Sequence, residues 1–174
     1  MPVSLYDISI PAFIRGLEVL DHVLKKGEAY AEEQSISPQT LLDAHFAKDM
    51  RNLIYQIQRA SDTAKGTAHR VGNDVAPVSF PDEEKTFADL HERIVNTVKY
   101  LEEVKASAFE GVEEKIVEVP FTEYKLPGVA FILTYALPNF YFHVTTAYLI
   151  LRDAGVPLRK IDFLLGSKAP SPAA

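Results

Sequence analysis

The chain has 174 residues, 18 Lys and Arg against 24 Asp and Glu, a net charge of −6 at pH 7 and 47% apolar residues, with a mean hydropathy of −0.02. Its acidic balance, without clustered Lys and Arg, argues against nucleic acid or an anionic membrane as partner. The absence of cysteine excludes a disulfide, a thiol nucleophile and a thiolate metal site. The length predicts one domain over residues 1–166 and a loose tail over 167–174, where two prolines and three alanines follow Ser167. Asp7, Arg15, Glu18, Asp21 and Lys25 interrupt the first 27 residues, so neither a signal peptide nor a membrane span is expected there. The expectation is a cytoplasmic protein.

Taken in chain order, Phe13, Ile14, Leu17, Leu20, Leu24 and Ala31 have the spacing of one helix face, predicting a helix over 10–33 with Ser9 as N-cap and Pro11 in the first turn. His22 falls on its outer face. Ser37-Pro38 then opens a second helix of roughly 30 residues, about 45 Å long, striped by Leu42, Phe46, Met50, Leu53, Ile57, Ala60 and Ala64 and ending near Gly66 or Gly72. Gly72-Asn73, Pro77 and Pro81 mark a connection. A third helix is predicted from Pro81 or Asp82, with Phe87, Leu90, Ile94, Val98 and Leu101 as its stripe. The period changes at 115–120 and 121–126, where alternation predicts a small β-hairpin. Residues 129–151 are apolar nearly all round, as befits a buried central helix, and Pro138 is expected to kink or divide it. Gly155 is the expected C′ residue. The stretch 156–165 is expected to pack back through Leu158, Ile161, Phe163 and Leu164.

Four long helices around one apolar member predict an all-α fold, a four-helix bundle with a small β-hairpin before the last long helix. The run Ala136-Leu137-Pro138-Asn139-Phe140-Tyr141-Phe142-His143-Val144-Thr145-Thr146-Ala147-Tyr148 is followed by Ile150-Leu151-Arg152, Gly155-Val156-Pro157-Leu158, Lys160 and Asp162-Phe163-Leu164. It resembles the C-terminal signature of a family of domains of unknown function within the DinB-like four-helix-bundle superfamily. Ile10-Pro11-Ala12-Phe13, Asp49-Met50 and Ala60-Ser61-Asp62-Thr63-Ala64-Lys65-Gly66 are similar to its N-terminal portion. The resemblance implies a DinB-like bundle and a homodimer. It also implies, for members of the wider superfamily, a divalent metal on three histidines and, for some, thiol-dependent transferase activity. His143 matches one helix-four histidine, whereas Ala147 and Asn139 stand one turn to either side of it.

Three functional readings follow. One is a small organic ligand in a cavity near His143, lined by Tyr135, Asn139 and Phe140, because bundle cores hold ligands between facing helices. His143 is then the candidate general acid or base, with Tyr141 or Tyr148 orienting a carbonyl or hydroxyl. A second is a metal-dependent transferase or hydrolase holding zinc, nickel or iron on His143 with His45 or His91, and with Asp49 near His45. The third is a structural or interaction protein whose histidines and aromatics fill a core. No Gly-rich phosphate loop, nucleophile elbow or H-E-x-x-H helix occurs.

Overall fold

The computed structural model describes residues 3–170. Helix α1 runs over Leu5–Glu33, α2 over Pro38–Leu42, α3 over Leu53–Val71 and α4 over Phe87–Glu102. A hairpin of β1 (Ile116–Glu118) and β2 (Lys125–Pro127) precedes a continuous helical stretch: α5 (Gly128–Ala130), a π-helical segment (Phe131–Ala136) and α6 (Leu137–Asp153). Helix α7 (Lys160–Leu165) closes the chain. Helices α1, α6, α3 and α4 pack as a ring in that order, around a core that includes Phe13, Leu17, Leu24, Ile57, Ala64, Leu90, Phe140 and Leu151. The fold is the expected all-α, DinB-like four-helix bundle with its hairpin before the last long helix. The strands pair antiparallel with Val117 opposite Leu126, and Val117 is buried.

The first helix starts five residues earlier than its periodicity suggests. Ser4 accepts from the Asp7 N–H at 3.1 Å while Asp7 accepts from the Ser4 N–H at 3.0 Å, a reciprocal capping box. Ser9 is therefore inside the helix, its hydroxyl bonded to the Leu5 carbonyl, and Pro11 lies in the helix interior. The long second helix is instead two. Asn52 caps α3 through its side chain on the Tyr55 N–H, and residues 43–52 between Leu42 and that cap are irregular. Phe46, read as part of the stripe, is 49% exposed. In the third helix a second capping box, Thr86 with Asp89, moves the start from Pro81 or Asp82 to Phe87. All three differences share one cause: a short polar side chain that satisfies first-turn N–H groups fixes where a helix begins more firmly than the apolar pattern does.

The last long helix holds Pro138 without a break. The π segment immediately before it widens the turn where the proline ring would meet the preceding carbonyl. Gly155 ends α6 at φ +96, with Gly155 N–H on the Arg152 carbonyl and Val156 N–H on the Leu151 carbonyl, the paired bonds of a Schellman turn.

Val156 and Leu158 are buried as expected, whereas Leu164 is exposed. What fastens α7 is polar. Asp162, itself buried, accepts from the Arg159 N–H at 2.7 Å and from His22 and Lys26 of α1 at 3.1 Å each. Burial pushes the Asp162 carboxyl up, but these bonds and the Lys26 charge outweigh it and hold the pKa at about 2. His22 is thus a tether rather than a solvent residue. Asp162→Asn is expected to lower stability by roughly 1–2 kcal/mol at pH 7. Because the folded pKa lies below the ordinary 3.8, that contribution is present above pH 3.8 and fades as pH falls towards 2. Melting temperatures of the two proteins should therefore converge across that interval. After α7 the chain makes a turn over Gly166–Lys168 against α1, and Arg159 Nη2 donates to the Pro170 carbonyl. The rest of the expected tail, 171–174, lies outside the described residues.

Candidate functional site

A cavity of about 540 Å³ lies between α3, the π segment with α6, the connection 77–82 and the hairpin turn. Helical spacing builds two of its walls. On α3, Tyr55, Arg59, Thr63, Gly66 and Arg70 recur every three or four residues; on the other side Phe131, Tyr135, Asn139 and His143 recur every four. Phe80 and Asp82 come from the connection, and Phe121, 99% exposed at the hairpin turn, stands at the rim.

His143 is 9% exposed, and its orientation is fixed by a relay. The Gln56 side-chain amide donates to the Arg51 carbonyl at 3.1 Å, which leaves Gln56 Oε1 to accept from His143 Nδ1–H at 2.8 Å. With the proton on Nδ1, Nε2 carries a lone pair and makes no hydrogen bond among the described residues. Burial first, and then the Arg59 guanidinium, disfavour the imidazolium and bring the His143 pKa from 6.5 down to about 4. The ring is neutral at physiological pH, and Tyr55 and Phe142 stand edge-on to it at 6.3 and 5.3 Å between centroids. Asn139 donates to Thr63 Oγ1 at 2.8 Å, and Thr63 donates in turn to the Arg59 carbonyl at 2.7 Å, so α6 and α3 are cross-linked along the cavity floor.

An ion network holds the connection onto the bundle. Arg93 of α4, 3% exposed, meets Asp62 at 2.9 Å, Asp82 at 3.1 Å and Glu84 at 2.6 Å, and donates to the Pro81 carbonyl. Arg59 pairs with Asp62 at 2.8 Å and with Asp82, while Lys65 pairs with Asp62 at 2.9 Å. Burial pushes the Glu84 carboxyl up, yet donation from Arg93 and Gln58 brings it below the usual range. Three cations thus face three carboxylates, which is how buried charge is tolerated.

Of the residues expected at the site, His143, Tyr135 and Asn139 line the cavity. Phe140 does not. It is fully buried, edge-on to Phe13 at 5.0 Å, and it fills the space over Gly16 of α1. Tyr141 also faces α1, its hydroxyl donating to the Ala12 carbonyl at 3.2 Å, and burial raises its pKa. Tyr148 stands edge-on to Phe163 of α7 at 5.8 Å. The reason is the helical step of about 100° per residue, which turns 140, 141 and 148 away from the line through 139 and 143.

The histidines do not converge. His45 lies exposed in the irregular 43–52 segment with Asp49, contacting the Asp43 carbonyl at 3.4 Å. His91 faces α1, where its Nδ1 lies 2.6 Å from Asp21 Oδ1. Among the described residues no three His, Cys, Asp or Glu side chains are grouped to hold a metal. The residues beside His143 do not supply a three-histidine site either: Ala147 and Asn139 stand one turn to either side of it, so no second histidine of that helix accompanies it. The set His45, His91 and His143 is therefore corrected.

Sequence reasoning missed Gln56 and the whole α3 wall. Its signal was present in Arg59, Asp62, Thr63, Gly66 and Arg70, which recur at the same spacing as the apolar stripe. Among the described residues no helix is long and apolar enough to cross a membrane.

Comparison with known proteins places the chain beside a family and solved structures. A model of the family described as Domain of unknown function (DUF1993) matches residues 5–164. A crystal structure of a DinB family member protein from Shewanella denitrificans is 35% identical in sequence, with a TM-score of 0.87 over 97% of this chain and 96% of that chain. No curated protein matches.

Proposed function

The chain belongs to the DUF1993 family of DinB-like bundles, and from that premise we propose that it binds a small organic ligand in the cavity between α3 and α6, with His143 Nε2 as the acceptor of a ligand hydrogen bond. The observation that carries the reading is the Arg51–Gln56–His143 relay, which fixes one tautomer and leaves one lone pair at a cavity wall. That lone pair faces the cavity and has no protein partner among the described residues, so it is open to a donor from whatever occupies the space. The low pKa favours this role over proton abstraction: a general base works best with a pKa near the operating pH, and at about 4 the ring is a weak base.

The test is a fragment titration followed by amide chemical shifts on the full chain. Shifts are expected to cluster on 55–70, 77–82 and 135–143 and to disappear in His143→Ala. Shifts confined to other surfaces, or unchanged in that variant, would overturn the reading. Binding should be level from pH 8 to 5.5 and fall as pH approaches 4, where Nε2 takes a proton. Folding carries the same signature. The unfolded histidine protonates below 6.5 and the folded one only near 4, so wild-type stability should fall across that window by roughly 3 kcal/mol. His143→Gln should lack that fall, since it has nothing to titrate there.

A further inference from the structure

The charges lining the cavity do not cancel. Its carboxylates, Asp62 and Asp82, are engaged by Arg59, Lys65 and Arg93. Arg70, which also lines it, has no acidic partner and no side-chain hydrogen bond among the described residues. Its guanidinium folds back one turn over Gly66, where Nη1 takes the space that a side chain at 66 would fill. An arginine in a last helical turn ordinarily serves the terminal carbonyls. Here that work is done by Lys115, whose Nζ donates to the Val71 and Gly72 carbonyls at 3.0 Å each. Arg70 is thus released from the helix end and lies along the cavity, a free cation in a protein of net charge −6.

At the opposite end stands the His143 lone pair. Gln56, which holds it, and Gly66, beneath Arg70, are ten residues apart on α3, about 15 Å. Tyr55, Phe80, Phe131 and Tyr135 line the space between. We propose that the ligand is an organic carboxylate: its charged group is held by the Arg70 fork, an aromatic or aliphatic body lies against these rings, and a hydroxyl or N–H at the far end donates to His143 Nε2. The inference rests on the ligand-binding reading above and adds the chemical class. A carboxylate matches one uncompensated guanidinium in charge and in bidentate geometry. A phosphate monoester, at about −1.5 to −2, exceeds it.

The probes are para-hydroxyphenylbutanoate, its primary carboxamide and the phosphate ester of the corresponding phenylbutanol, titrated calorimetrically into the full chain. The acid is expected to bind roughly tenfold tighter than the amide. In Arg70→Gln the two should bind alike, with the denaturation curve unmoved because the side chain is exposed. Equal binding of acid and amide by the wild type, or a preference that survives in Arg70→Gln, overturns the anion assignment while the ligand-binding reading stands. Tighter binding of the phosphate ester overturns carboxylate in favour of a phosphoester. Binding by neither acid nor amide removes the ligand-binding reading itself, and the inference with it.

Discussion

Replacing Arg93 with Ala is expected to cost about 3–5 kcal/mol, because it removes a buried cation and leaves the enclosed Glu84 carboxylate without an ionic partner. Asp62, Asp82 and Glu84 all meet its guanidinium within 3.1 Å. Arg59 and Lys65 reach only Asp62 and Asp82, so Glu84, one of the more enclosed carboxylates of the set, keeps only the Gln58 amide. The Phe80 ring beneath the guanidinium, 5.9 Å from ring centre to Cζ, loses its cover as well. Urea denaturation measures the loss. A change below 1 kcal/mol would mean that water already shares these charges. Since the network holds the connection 77–82 against α3, the variant should also weaken any binding in the cavity.

Phe140→Ala should cost a similar amount, about 3–5 kcal/mol, through the void left in the core. A residue acting through a ligand would behave differently, with binding lost and stability kept. The ring also occupies the place a side chain at Gly16 would need, so Gly16→Ala alone overlaps it and is expected to cost about 1–3 kcal/mol. In the Phe140→Ala background the same methyl group enters vacated space and should be neutral or stabilising. The two changes must then be strongly non-additive in a double-mutant cycle; additive effects would show that the ring moves aside freely.

These two residues also show what was legible in the sequence. The bundle and the hairpin followed from residue spacing alone, because core burial imposes a period that survives without knowledge of any partner; the last long helix, expected to be central and buried nearly all round, is instead one member of the ring, with Phe142 exposed. The starts of α1, α3 and α4 did not follow from spacing, since Ser4, Asn52 and Thr86 act through local hydrogen bonds that leave no periodic trace. His143, Tyr135 and Asn139 were found at the cavity because composition marked α6 as central and a polar group on a central helix is conspicuous. Phe140, Tyr141 and Tyr148 were assigned with them because nearness in sequence was taken for nearness in space, which one helix turn undoes. Arg59, Thr63 and Arg70 were hidden by the opposite effect. A polar stripe facing a cavity looks the same in a sequence as one facing bulk water. The break at 43–52 then removed His45 from the helix on which its pairing with Asp49 depended.

The π segment has a consequence for the cavity beyond making room for Pro138. Four residues of α-helix advance about 400°, some 40° past a full turn, so a line of residues at every fourth position drifts around the helix axis. Bonding to the fifth residue widens the turn, and four residues then fall short of a full revolution instead. Phe131 and Tyr135 lie in the wider stretch, Asn139 and His143 in the ordinary one, so the two drifts oppose, and all four residues line the cavity. The single dilated turn works as a phase corrector: it gives this wall of the cavity a straighter line of residues than an unbroken α-helix would.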